Sequence, residues 1–216
     1  MKINYAITVC NEFVEIQRLI TFLLKNKRIQ DEIVVLVDMT KNEPTSELLG
    51  YLHRLSSNDY IHLSEQNFNN HFADWKNYLT SICNGDYIFQ IDADEIPHEK
   101  LLEVLPEILE ENFDCEVFLV PRVNTVEGLT QDHINKWRWN VNEQGWVNWP
   151  DNQWRIWKNK PEIKWINKVH EKLDGYKVWS ILPEMEEFAL YHPKTIERQE
   201  KQNDLYEGLA NFITMS

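Results

Sequence analysis

Cysteine is scarce in this chain: Cys10, Cys83 and Cys115 are widely spaced, odd in number and without a CxxC pair. Such a set argues against a disulfide framework or a zinc knuckle and fits a reduced, cytoplasmic setting. Glycine is also short, six residues, each isolated. Neither GxGxxG nor GxxxxGK[ST] can be written through them, which excludes a dinucleotide fingerprint and a P-loop. No HExxH occurs, since His170-Glu171 runs on into Lys172, Leu173 and Asp174. No apolar run approaches the roughly 18 residues that suggest a bilayer span. The stretch Met1–Cys10 lacks the charged and long apolar regions of a secretory leader. Positive charge is sparse as well: 22 Lys plus Arg stand against 35 Asp plus Glu, a net −13 with histidine neutral. That surface repels phosphate backbones, so no nucleic-acid partner is expected.

What remains is an ordinary globular balance, 43% hydrophobic and 26% charged over 216 residues. That is enough chain to bury a core without a staple. The first half alternates strand and helix signals. Ile3 to Val9 reads as a strand, and Glu12 to Lys27 as a helix with Phe13, Ile16, Ile20, Leu23 and Leu24 on one face. Glu32 to Val37 is a nearly continuous apolar run, as in a strand covered on both faces. A helix opening at Pro44-Thr45, a short strand Tyr60 to Leu63 and a helix Asn69 to Asn84 follow. Next come a strand Asp86 to Ile91, a helix from Pro97 bent at Pro106, and a strand Cys115 to Val120. The pattern predicts an α/β fold with a mostly parallel sheet and right-handed crossovers. After Arg122 the helical period fades, and eight of the nine tryptophans lie between Trp137 and Trp179. Gln153 to Lys158 reads as a strand with one wet face, Glu162 to Val169 as another, and a polar helix follows Pro193. A soft boundary near Pro121 divides functional halves of one domain spanning residues 1–216: residues 1–121 and a helix-poor, Trp-rich part, 122–216.

Ligands of such sheets bind beyond the carboxyl ends of the strands. That rule selects Thr8 to Glu12, Asp38 and Asp92 to Glu95. Asp92-Ala93-Asp94-Glu95 follows the strand Tyr87 to Ile91. Two carboxylates that close raise each other's proton affinity unless a cation neutralises them, and Mg2+ or Mn2+ with substrate phosphates would do so. The alternative is an acidic turn capping the helix at Pro97. Thr8, Asn11 and Glu12 either meet a ligand or cap a helix. Asp38 either takes a ribose hydroxyl or base N–H, or starts the turn through Met39-Thr40. Lys76 and Arg155 are either phosphate partners or solvated charges.

Together these residues resemble glycosyltransferase family 2, which has the GT-A fold. The resemblance covers about residues 3–192. It rests on Thr8-Val9-Cys10-Asn11-Glu12, on Asp38, and on the run from Gly85-Asp86 to Asp92-Ala93-Asp94-Glu95. Ala73-Asp74-Trp75-Lys76-Asn77, Arg155-Ile156-Trp157 and Val169-His170-Glu171 are most similar to a subgroup of lipopolysaccharide-core glucosyltransferases and viral enzymes. In place of the family's Asp- and Ser-rich turn after the second strand stands Met39-Thr40-Lys41.

The resemblance implies metal-dependent, inverting transfer of a sugar from a UDP- or GDP-type donor to a hydroxyl, the acceptor carrying carbohydrate. On this reading residues 1–121 bind the donor, with Ala93 beside Asp92 joining Thr8, Asn11, Glu12, Asp38, Lys76 and Arg155, while residues 122–216 hold the acceptor. Asp92, Asp94 and a late histidine, His192, form the metal shell for Mn2+ or Mg2+. Glu171 is the general base, with Asp151 in reserve because Asp151-Asn152-Gln153-Trp154-Arg155 resembles an acceptor-side motif of processive members. Flat indole faces suit sugar rings. Most of the tryptophans are expected to pack, with Trp146, Trp149 and Trp154 as candidates to face the acceptor. A carbohydrate-binding module without catalysis would keep the tryptophans and tolerate loss of Asp94. A nucleotidyltransferase would need a Gly-rich loop after the first strand, which is missing. A cytoplasmic protein is expected, with peripheral membrane contact through Leu205 to Met215 left open.

Overall fold

The computed structural model of the chain describes residues 1–40, 44–201 and 203. Lys41 of the turn after the second strand, and the segment Leu205 to Met215, lie outside the described residues. The elements run β1 (Ile3–Val9), α1 (Phe13–Asn26), β2 (Glu32–Asp38), α2 (Ser46–Ser57), β3 (His62–Gln66), α3 (Phe72–Ser81) and β4 (Tyr87–Asp92). They continue through β5 (Ile96–Pro97), α4 (Glu99–Glu111), β6 (Val117–Val120), β7 (Arg122–Glu127), α5 (Gln131–Trp137), β8 (Gln153–Lys158), β9 (Lys164–Ile166), β10 (Lys172–Asp174), β11 (Trp179–Ile181) and β12 (Leu190–Thr195). Residues 196–201 are helical.

The main sheet has the order β11-β6-β8-β4-β1-β2-β3. Strands β4, β1, β2 and β3 are mutually parallel, and β8 alone runs antiparallel, between β4 and β6. The α/β architecture with a mostly parallel sheet flanked by helices is therefore as expected. Period-two alternation explains the double burial of its inner strands. Ile3, Tyr5, Ile7 and Val9 of β1 and Ile33, Val35 and Val37 of β2 pack on one face with Ile16, Leu19, Ile20 and Leu23 of α1 and Leu101, Leu102, Leu105 and Leu109 of α4. Ala6, Val34 and Leu36 face the other way, onto Ala73, Trp75 and Leu79 of α3. Fully burying one such aliphatic side chain contributes about 1.5–3 kcal/mol. The two faces together hold the sheet's rim in place.

Three elements differ from the sequence reading. Strand β8 has no wet face at its centre: Arg155, Ile156 and Trp157 are all buried, because β4 and β6 flank it and both core layers cover it. Pro97 does not open a helix. It sits in β5, paired with Leu190 of β12, and α4 starts two residues later at Glu99 with His98 as its cap, accepting from the Lys100 N–H at 3.0 Å. The stretch Glu162 to Val169 yields only the short β9, which forms a hairpin with β10. At Gly175 (φ +83°) a Cβ would run into the carbonyl of Glu162, so only glycine lets the chain pass there.

A second sheet, β5-β12-β7, lies beyond the end of β4. Its parallel register sets His192 of β12 opposite Asn124 of β7.

Candidate functional site

A cavity of about 840 Å³ opens at the carboxyl ends of β1, β2 and β4. Thr8 of β1 and Asp92 of β4 are cross-strand neighbours there. Thr8, Glu12, Asp38, Lys76, Asp92, Ala93, Asp94, Trp154, Arg155, Glu171 and His192 all contribute to its wall. Residues from seven distant segments thus converge at one lip. Asn11 is exposed and lies outside the lining, as do Trp146, Trp149 and Asp151.

The acidic lip is held from below by a buried ion network. Arg155 is 3% exposed and donates through Nη2 to Asp92 Oδ2 and to Glu95 Oε1, each at 2.6 Å. Its Nη1 reaches Gln90 Oε1 at 3.3 Å. Glu95 is fully buried and takes a second guanidinium, Arg122 Nη1, at 3.1 Å. Its other oxygen accepts the Asp92 backbone N–H at 3.0 Å. Arg122 in turn grips Asp151 through Nη2 at 2.8 Å. A buried carboxylate between two guanidiniums is costly to leave half-paired, so the lip's shape is strongly enforced. Arg155 accordingly faces inward as a strut. This differs from a phosphate contact on a wet strand, because its three partners come from β4 and the turn after it.

Burial alone would push the carboxyl of Asp92 up, but Arg155 and Lys76 overcome it and hold it well below the usual carboxylate range. The carboxyl of Asp151 is lowered in the same way against burial, by Arg122 and Asn124. A folded-state value below the unfolded one, near 3.9, adds stability above about pH 4 that is lost as pH falls through the folded value. The melting temperature is therefore expected to stay flat from neutral pH to about pH 5 and to drop below about pH 4. A melting temperature unchanged at about pH 3 would show that these pairs do not act as described.

At the opening of the cavity, Asp94 and His192 face each other, Nε2 to Oδ2, at 3.3 Å. Arg198, in the helical segment after β12, reaches the same Asp94 oxygen at 3.2 Å and also pairs with Glu12 and Glu15. Burial and, less strongly, Asp92 raise the carboxyl of Asp94, and His192 together with Arg198 outweigh them, leaving it below its ordinary value. Among the described residues no group of three or more His, Cys, Asp and Glu side chains is arranged to hold a metal. The expected trio does not converge as drawn: Asp92 is engaged by Arg155 and, through Oδ1, by Gln90 at 2.7 Å. The Asp94–His192 pair does fit a divalent cation that takes one carboxylate, one imidazole and substrate phosphate oxygens. An imidazole nitrogen and a carboxylate oxygen turned to one point need a proton or a cation between them.

The far wall is built by α3 and the β9–β10 hairpin. Asn77 of α3 bonds both the carbonyl and the N–H of Trp165, at 2.8 and 2.9 Å, and the Phe72 N–H reaches the Lys168 carbonyl at 3.0 Å. These ties bring Lys76 beside the hairpin loop. Its ammonium lies 2.6 Å from Glu171 Oε1 and 4.3 Å above the Trp165 ring. His170 takes a left-handed φ of +52°, which turns the chain at the residue before Glu171. Thus the expected base and one expected phosphate partner are a pair across the cavity's edge.

Several expectations meet competing local chemistry. Glu12 Oε2 accepts from the N–H groups of Cys10 and Asn11 at 2.9 and 3.1 Å, so those backbone donors serve its own turn. Asp38 Oδ1 accepts from Thr40 N–H at 2.7 Å and Phe68 N–H at 3.2 Å, the turn-forming alternative. Asp151 is saturated by Arg122, Asn124 and Gln153, and it lines a smaller cavity of about 270 Å³ beyond His192. Trp146 and Trp149 pack on each other with centroids 4.9 Å apart. Trp154 does line the large cavity, joined by Trp75 and Trp165. The last two went unnoticed as wall residues because helical spacing and a short strand both read as core. Lys194 and Lys201 were missed as well. Only their place on one strand-to-helix segment with His192 and Arg198 could have signalled them.

Over residues 5–194 the chain matches the family model described as Glycosyl transferase family 2. The crystal structure of S. aureus TarS 1-349 in complex with UDP-GlcNAc is similar to it with a TM-score of 0.61 and 16% identity, over 90% of this chain and 59% of that one. The same fragment in complex with UDP gives a TM-score of 0.59 and 14% identity, over 89% and 60%. This likeness shows a shared fold. The chain spans 28% to 60% of the lengths of the TarS structures. No curated protein matches it.

Proposed function

The chain belongs to glycosyl transferase family 2, and from that premise we propose that it transfers a sugar from a UDP-GlcNAc-type donor to an acceptor hydroxyl, with inversion. Convergence carries the reading: Asp92, Asp94 and His192 on one side and Lys76 and Glu171 on the other line one cavity at the sheet's carboxyl edge. The donor type is taken from the UDP and UDP-GlcNAc that accompany TarS, and a GDP-type donor is the alternative. The affiliation with lipopolysaccharide-core and viral members is part of the same reading and rests on Val169-His170-Glu171 and the segment around Lys76. Residues up to 121 serve the donor. Those after it serve a carbohydrate-containing acceptor, with Trp154 as the aromatic face.

Asp94 and His192 would hold a divalent cation, Mn2+ or Mg2+, and bound there it would act as a Lewis acid toward the departing diphosphate. The protein's own residues do the rest. Arg155 and Glu95 keep Asp92 at the lip, where it meets the donor's ribose side. Lys76 offers positive charge to the phosphates. Glu171 takes the acceptor hydroxyl's proton as that oxygen attacks the anomeric carbon, opposite the leaving diphosphate. Among the described residues no helix is long and apolar enough to cross a membrane.

A thermal-shift screen of nucleotide-sugars with Mn2+, followed by detection of released nucleoside diphosphate, tests the reading. UDP-GlcNAc with Mn2+ is expected to raise the melting temperature and to yield UDP slowly even without acceptor. If no nucleotide-sugar shifts the protein or is turned over, with or without metal, the transferase reading fails.

A further inference from the structure

The side chain opposite His192 has a task of its own. In the parallel pairing of β7 and β12, Asn124 is the direct neighbour of His192, and its Oδ1 lies 2.8 Å from His192 Nδ1. The other end of the same amide, Nδ2, lies 2.6 Å from Asp151 Oδ2. A carboxylate can only accept, so the amide nitrogen must face Asp151 and the amide oxygen must face the imidazole. That oxygen can only accept in its turn, so the proton of His192 must sit on Nδ1. Asp151 is fixed as a carboxylate by Arg122 at 2.8 Å and by Gln153 Nε2 at 2.7 Å. Chemical logic therefore runs in one direction, from Arg122 through Asp151 and Asn124 to the ring.

We propose that Asn124, clamped by Asp151, is a positioning residue that holds His192 with its proton on Nδ1 and its Nε2 electron pair aimed at Asp94, as a cation ligand requires. This rests on the divalent-cation reading of the Asp94–His192 pair given above. It also gives Asp151 a role other than general base. Partners that orient a metal-binding imidazole through its second nitrogen typically matter by 10–100-fold in metal affinity. Without the amide oxygen, Nδ1 has no acceptor, and the favoured form becomes the one in which Nε2–H donates to Asp94.

Long-range ¹H–¹⁵N correlation spectra of protein labelled at histidine nitrogen read the proton's place directly, the His192 signals being assigned by their loss in His192→Gln. In wild type held with Mg2+ and UDP, where the cation would take the Nε2 electron pair, Nδ1 is expected to be protonated and Nε2 not. In Asn124→Leu it is expected to lose that proton to Nε2. Calorimetric Mn2+ affinity in the presence of UDP is expected to fall 10–100-fold in Asn124→Leu. Asp151→Asn, whose amide oxygen can still accept from Asn124, should keep the Nδ1 proton and stay within a few-fold of wild-type affinity. An unprotonated Nδ1 in wild type overturns the proposal even if the leucine variant does not fold. So does a retained Nδ1 proton in a folded Asn124→Leu. Loss of that proton on substitution, with wild type failing to bind Mn2+ at all, supports the relay and instead refutes the cation reading on which its purpose rests.

Discussion

Asp94→Ala is expected to abolish Mn2+-dependent binding of the donor, lowering affinity on the order of 100-fold or more. The reason is charge. The protein carries −13, and its cavity lip presents Asp92, Asp94 and Glu12 to an incoming diphosphate. Arg155 and Arg122 offset little of that charge, because Glu95, Asp92 and Asp151 already engage them, and Lys76, Lys194, Arg198 and Lys201 share the cavity wall with these carboxylates. Removing Asp94 leaves His192 as the one remaining side chain of the pair, without the carboxylate oxygen that a hard cation prefers. The variant also frees Arg198 from its 3.2 Å contact with Asp94. Any residual binding should therefore be metal-independent and resist EDTA. Calorimetry with donor and Mn2+, repeated with EDTA, separates the two. The largely buried carboxylate packs at the rim rather than in the apolar core, so the melting temperature should move by only a few degrees. Unchanged Mn2+-dependent affinity in a folded Asp94→Ala would sink the cation site.

Much of this geometry was legible because short-range periodicity governs it. Ile3 to Val9 reads as a strand and the apolar run Glu32 to Val37 as one covered on both faces, and both core layers cover them. The exit of Asp92 to Glu95 from a buried strand placed the acidic pair at the rim. What could not be read depends on partners far along the chain. Arg155 looked like one polar position in an amphipathic strand, yet its carboxylate partners lie 60 and 63 residues away. Nothing local tells an arginine that its strand will be inserted between two others. Glu12 was read for a ligand although its carboxylate closes its own turn, two residues from Cys10. That choice is decided by a backbone angle rather than a residue type. Arg198 lies 104 residues beyond Asp94 in the chain, and only the parallel pairing of β12 with β7 delivers the following helix to the lip. Trp146 and Trp149 were proposed to face sugar, and their mutual packing shows how an aromatic-rich stretch can satisfy itself.

Glu171→Gln is expected to cut turnover by about 10²–10⁴-fold while leaving the donor's KM within a few-fold of wild type. Glutamine keeps the shape of the side chain, and its amide oxygen can still accept from Lys76 Nζ, now 2.6 Å from Oε1. The hairpin, tied to α3 through Asn77 and Trp165, should not move. Only the capacity to take a proton is lost, and that capacity matters in the transition state rather than in donor binding. Lys76 sharpens the test. With the ammonium holding Oε1, an acceptor hydroxyl is expected to approach Oε2, and an amide NH₂ in that position would donate where a base must accept. A fall in kcat with an unchanged KM is thus the signature of a base. A raised KM with kcat preserved would instead mark the Lys76–Glu171 pair as part of the donor's binding wall. Near-normal kinetics in Glu171→Gln would move the search for the base elsewhere in the cavity. Asp151 would be a poor successor, since Arg122, Asn124 and Gln153 already occupy its oxygens.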